Sequence, residues 1–259
     1  MSPRLSCGLR LAVSWLTVVP VDTPVAVDRA IARQALYWAP LVGAGLGALV
    51  AGLLSALHAL STPPLLAGLV GVATLAGLTR GMHLDGLADT ADGLGCYGGP
   101  CRALEVMRDG PSGPFAVIAL VLVLSTQAAA LGTLAETGRL IPVVLAMVAG
   151  RAAFGWCARR GVPAARPTGL GALVADSQPP ALPVTWLAVL LAGGLLAVPS
   201  RPWQAPLAVT LAALAVVALS AHTTRRLGGL TGDVLGATTE LTTTIILAVC
   251  ALGVPHSAG

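Results

Sequence analysis

Seven apolar windows approaching spanning length recur along this chain, near residues 35–60, 64–80, 114–134, 140–157, 183–198, 205–222 and 234–254. A bilayer core is about 30 Å thick and takes about 20 helical residues to cross. Inside it, every backbone N–H and C=O must be satisfied within its own segment or by a packed neighbour. The chain is therefore expected to be an all-α, polytopic integral membrane helical bundle with about seven transmembrane helices. A β-barrel would alternate apolar and polar residues in stretches of about ten, and no such alternation is present. Charged residues are 10% of the chain, against about 25% in an ordinary soluble domain. The windows are filled by Ala, Leu, Val, Gly and Pro, small residues that let helix backbones approach closely in lipid. Seven spans leave little for a separate soluble unit, so residues 1–259 read as one integral membrane domain.

The arginines give the chain a direction. All 15 basic residues are Arg. Twelve fall to one side of the seven-span arrangement, in the N-terminal segment and in the loops 80–113, 158–182 and 223–233; Arg139 and Arg201 fall to the other side, and Arg151 lies inside a span. Cytoplasmic loops carry the excess of positive charge, so the N-terminus and these three loops are expected in the cytoplasm. The N-terminal stretch lacks a small-residue cleavage pattern and is read as a retained interfacial or re-entrant helix. The five cysteines are scattered, and Cys96 with Cys101 has the wrong spacing for a redox or zinc pair.

Against this background the stretch "GMHLDGLADTADGLGCYGG" at 81–99 stands out, because it gathers three of the chain's 11 acids beside a histidine. In a helix, Asp85, Asp89 and Asp92 come round to nearly the same angle. Three like charges on one face repel, and such a set persists where a cation compensates it. A second acidic stretch, "GGLTGDVLGATTEL", carries Asp233 and Glu240, seven apart like Asp85 and Asp92. We expect the two stretches to face each other across a cavity and to hold one or two Mg²⁺ ions through Asp85, Asp89, Asp92, Asp233 and Glu240, since hard oxygen donors without a cysteine or histidine cluster suit Mg²⁺ or Mn²⁺ rather than zinc. The plain alternative is a solvated loop with helix caps, which explains single acids better than a one-faced triad.

Mg²⁺ held by a few carboxylates keeps positions for substrate phosphates, so phosphoryl or nucleotidyl transfer is the expected reaction class. Arg pairs bidentately with phosphate, and Arg80, Arg108 and Arg151 are candidates for that contact; Arg151 serves equally as an internal partner for one of the acids. Asp109, beside the helix-ending run "DGPSGP", is a further candidate for the substrate site. His83, with Asp89 and Asp92, is a candidate catalytic residue, as general base or as the group that positions an attacking hydroxyl.

The motifs "HLDGLADTADGL", "EVMRDG", "AGR" at 149–151, "ARPTGLG" at 165–171 and "LGGLTGDVLGATTEL" at 227–241 resemble, in order and over most of the chain, the membrane-bound cobalamin synthases, or adenosylcobinamide-GDP ribazoletransferases. The resemblance implies that α-ribazole, or its 5′-phosphate, displaces GMP from adenosylcobinamide-GDP to give adenosylcobalamin or its 5′-phosphate, the last assembly step of cobalamin. It also implies Mg²⁺ dependence and a multi-pass place in the bacterial inner membrane, with the active site facing the cytoplasm. The implied partners are the two small-molecule substrates and the lipid bilayer, with no nucleic acid; a homo-oligomer stays open. The chain departs from the family in two places: Gly110 to Pro114 stand where a Ser-Arg pair commonly follows "MRD", and Val18 replaces the arginine of a Thr-Arg-Ile-Pro run. Two rivals are a CDP-alcohol phosphotransferase, whose longer acidic signature "DGLADTADG" does not reproduce, and an ion-coupled transporter, which would set its acids near the bilayer midplane.

Overall fold

The computed structural model describes residues 3–22, 26–109 and 111–253, and among them the chain forms eleven helices and no strand. In order these are α1 (Pro3–Leu16), α2 (Arg29–Ala59), α3 (Pro64–Leu78), α4 (Met82–Gly95), α5 (Pro100–Asp109), α6 (Pro114–Glu136), α7 (Ile141–Cys157), α8 (Leu170–Val174), α9 (Ala181–Gly194), α10 (Gln204–Leu227) and α11 (Gly232–Ala251). A helix occupies each of the seven apolar windows. Four of them, α2, α6, α10 and α11, are long and apolar enough by themselves to cross a membrane. α7 and α9, of 17 and 14 residues, reach only roughly 26 and 21 Å at 1.5 Å per residue. The chain is a multi-pass helical membrane protein.

α2 and α7 form the central pair, with α11 packed on α7 and α1 laid along α2. The core among α2, α6, α7 and α11 is built from Val50, Leu54, Leu131, Leu134, Val143, Met147, Ile246 and Leu247, all essentially inaccessible to solvent. Small residues set the spacing. On α3 a Cβ added at Gly68 would collide with the Ala128 carbonyl, and one added to Gly132 on α6 would collide with the Pro64 carbonyl, so α3 and α6 run antiparallel in close contact.

The fold turns at the end of α3. Arg80 and Gly81 both adopt left-handed backbone angles, φ 55° and 65°, and α4 leaves at 92° to α3. Such angles cost a non-glycine residue about 1–2 kcal/mol; Arg80 is held by donating its guanidinium Nη2 to the Ser14 carbonyl at 2.8 Å. After so sharp a bend α4 does not run on along the axis of α3. At the same end of the bundle, Arg29 at the start of α2 donates to the carbonyls of Ala172 and Ala175, tying down α8. The stretch 163–165 is pinned to the turn before α11, where the Leu230 N–H donates to Pro163 O at 2.8 Å and the Ala165 N–H donates to Leu230 O at 3.0 Å. At the other end the Arg139 guanidinium reaches Ser200, and Gln204 donates to the carbonyls of Val249 and Leu252.

Candidate active site

α4 and α11 are brought together by two glycines. A Cβ at Gly86 would lie 2.7 Å from the Asp233 carbonyl oxygen, and one at Gly236 would lie 3.1 Å from the His83 backbone. The two acidic stretches are thus neighbours in space, as the sequence suggested. α11 begins where it does because the Thr231 side chain accepts the Val234 N–H, which puts Asp233 in the first turn, where a carboxylate meets the positive end of the helix dipole.

The five acids separate into three groups. Asp85 is exposed, and Asp89 and Asp233 are half-buried. Asp89 is pushed up to about 6 by burial, then by the charges of Asp85 and Asp233, with Arg166 opposing and Asp92 adding a smaller push. Arg166 approaches Asp233 at 3.9 Å and also donates to the Leu104 carbonyl. Among the described residues no hydrogen bond engages the Asp85 or Asp89 carboxylate. These three acids lie close enough to feel one another's charge, with Arg166 as the counter-charge. Among the described residues no three His, Cys, Asp or Glu side chains are already drawn into a metal-holding group.

Asp92 is differently employed. Its carboxylate accepts the Gly113 N–H at 2.5 Å and the Ala116 N–H at 2.9 Å. α6 opens with Gly113 and Pro114, which supply no side-chain cap of their own, and the buried Asp92 caps the helix from a distance. Replacing Asp92 with Ala should cost about 1–3 kcal/mol, because the buried Ala116 N–H and the half-buried Gly113 N–H lose their acceptor. The expected result is a lower unfolding midpoint in detergent, with Asp92→Asn, which keeps one carbonyl oxygen, falling less. Equal stability of Asp92→Ala and the parent would remove the capping role.

Glu240 is two turns further along α11 than Asp233, about 10 Å at 1.5 Å per residue. Its carboxylate accepts from the Gln127 amide at 2.8 Å, and Gln127 also donates to Thr244. Arg151, 3% exposed, lines the same small cavity of about 20 Å³ and donates to the Met147 sulfur at 3.3 Å. Glu240 thus lines one cavity with Arg151 inside the bundle, without a direct ion pair among the described residues, and the structure does not bring it to the aspartates.

The remaining candidates divide as follows. His83 stands two residues before Asp85, so it projects from the opposite side of α4. It is 3% exposed, and its ring packs 6.4 Å from that of Phe154, away from the carboxylates. Arg80 is exposed and turned toward α1. Arg108 is exposed in the last turn of α5, and the side chain of Asp109 lies outside the described residues. Two residues were missed from the sequence: Arg166, whose signal was its place in "ARPTGLG", and Gln127, whose signal was a lone amide in an apolar window.

The cobalamin-5-phosphate synthase family matches residues 8–251. The chain is 45% identical over 234 residues to the adenosylcobinamide-GDP ribazoletransferase of Nocardioides sp., covering 90% of this chain and 93% of that one. It is 39% identical over 264 residues to the enzyme of the same name from Frankia casuarinae, covering 95% of each. It is 34% identical over 264 residues to that of Corynebacterium efficiens, covering 99% of this chain and 95% of the relative. No solved structure matches the chain.

Proposed function

The chain belongs to the cobalamin-5-phosphate synthase family, and from that premise we propose that it is an adenosylcobinamide-GDP ribazoletransferase acting at the cytoplasmic face of the inner membrane. A ribose hydroxyl of α-ribazole, or of its 5′-phosphate, attacks the phosphorus bonded to the cobinamide side. One P–O bond forms, the P–O bond to GMP breaks, GMP leaves with the electron pair, and the hydroxyl proton passes to a base at the acidic cluster. The observation that carries this reading is the convergence of Asp85, Asp89 and Asp233, which leaves Asp89 raised to about 6 with only Arg166 to oppose the crowding.

An all-oxygen donor set of this kind fits a hard divalent ion. Asp85, Asp89 and Asp233 would hold Mg²⁺, which when bound supplies positive charge against the diphosphate. Arg166 holds Asp233 in place and adds a guanidinium suited to a phosphate oxygen. Asp92 fixes the start of α6 behind the cluster, and the turn at Arg80 and Gly81 sets the direction of α4. The twelve-to-two division of arginines favours the cytoplasmic side. A cation-coupled transporter is disfavoured because these three acids lie at one end of the bundle.

The test is incubation of the full-length protein in lipid nanodiscs with adenosylcobinamide-GDP and α-ribazole. GMP release should require both substrates and Mg²⁺ and should stop on addition of a chelator. Release unaffected by metal removal would refute the metal assignment, and no release with both substrates and Mg²⁺ would refute the activity.

A further inference from the structure

On the side of α4 away from the carboxylates lies a cavity of about 410 Å³ walled by α1, α2, α4, α7, α11 and the start of α8. That volume lies within the range of small-molecule sites, about 300–1,000 Å³. Its wall is almost wholly apolar, with the rings of Trp15 and Phe154 and the small side chains Ala35 and Ala39. The exceptions are Arg80, whose guanidinium is engaged by the Ser14 carbonyl, and His83. Both ring nitrogens of His83 are buried without a hydrogen-bond partner, and buried polar groups in folded proteins are almost always paired. A neutral imidazole offers one N–H donor and one lone pair, so the cavity presents an apolar slot whose buried, unpartnered polar contact is His83.

We infer that this cavity receives the aromatic base of the nucleoside acceptor, with His83 as its hydrogen-bond partner. The inference rests on the transferase reading and deepens it. The base of α-ribazole is a benzimidazole, a flat bicycle with an apolar edge and one ring nitrogen outside the glycosidic bond, which complements a slot of aromatic and alanine walls with one azole. The corrinoid, a macrocycle of four linked rings carrying long side chains, is too large for this space. The cavity also adjoins the acidic cluster. Its wall includes Gly232, the residue before Asp233, and the segment that gives Gly169 and Leu170 to the wall also gives Arg166 to Asp233. A base seated here leaves its ribose beside the N-terminal turn of α11.

Two variants test the assignment in nanodiscs, with α-ribazole as the probe in equilibrium dialysis and adenosylcobinamide-GDP as the control ligand. His83→Gln should weaken α-ribazole binding about tenfold and raise its KM, while kcat at saturation and the affinity for adenosylcobinamide-GDP stay within about twofold. Ala39→Leu, which fills the slot without touching a polar group, should abolish α-ribazole binding and spare the control ligand. His83→Gln alone decides the matter if Ala39→Leu does not fold. Unchanged α-ribazole affinity in the folded variants overturns the inference, as does a cavity that retains a phospholipid chain α-ribazole does not displace. If the parent protein releases GMP while those results hold, only the cavity assignment falls. A parent protein that neither binds α-ribazole nor releases GMP loses the transferase reading, and this inference with it.

Discussion

Replacing Asp89 with Asn is expected to lower GMP release between about a hundredfold and a thousandfold, the usual cost of removing one preorganised electrostatic contact to a reacting phosphoryl or acyl group. Asp89 feels the charge of both Asp85 and Asp233. The substitution keeps the shape of the side chain and removes the charge that a divalent ion needs. Repulsion within the cluster also falls, so the unfolding midpoint of Asp89→Asn in detergent should equal or exceed that of the parent. That pairing of lost turnover with retained stability separates Asp89 from Asp92, whose loss should act through the start of α6. A pH dependence follows in the same direction. With its carboxyl near 6 in the absence of a cation, Asp89 binds a proton below that value, and protons compete with Mg²⁺ for it. The Mg²⁺ concentration for half-maximal rate should therefore rise as pH falls through about 6 in the parent. Turnover of Asp89→Asn within threefold of the parent would remove this residue from the chemistry.

The sequence carried the helices and the one-faced aspartates, because both depend on local periodicity. Asp85, Asp89 and Asp92 do share a face of α4, and α4 does meet α11. The roles within that face were not legible. Asp92 is absorbed by the Gly113 and Ala116 N–H groups, a contact across 21 and 24 residues that no spacing rule reveals, although Gly-Pro at the head of an apolar window marks a helix lacking its own cap. The seven-residue echo between 85–92 and 233–240 suggested a shared site, yet seven residues of helix also separate two side chains by about 10 Å, too far for neighbouring oxygens on one small ion. His83 shows the opposite case: its offset of two residues from Asp85 already turns it away from the aspartates. The bend at Arg80 is a third kind of loss, since a non-glycine residue in the left-handed region is read from geometry and not from composition.

Arg151 and Glu240 give the second large effect, on stability. A charge inside a membrane bundle is expensive and is kept by a counter-charge nearby. Arg151 and Glu240 line one cavity without a direct ion pair, so removing one should cost less than the roughly 3–5 kcal/mol of a broken buried salt bridge. Arg151→Met should lose about 1–3 kcal/mol, because Glu240 would keep its charge with only the Gln127 amide to oppose it. Glu240→Gln should lose a comparable amount, leaving the Arg151 guanidinium unopposed. The double variant Arg151→Met with Glu240→Gln removes both charges and preserves an oxygen for Gln127, so it should be more stable than either single variant, with a coupling of about 1–3 kcal/mol in a double-mutant cycle. Unfolding midpoints in detergent supply the cycle, and additivity within about 0.5 kcal/mol would show that the two residues do not sense each other. Turnover of the double variant then separates the two roles open to Arg151. If the guanidinium only balances Glu240, GMP release and the KM for adenosylcobinamide-GDP should recover along with stability. A double variant that folds but shows a KM raised more than tenfold would mean that Arg151 meets the diphosphate, and that Glu240 holds it ready.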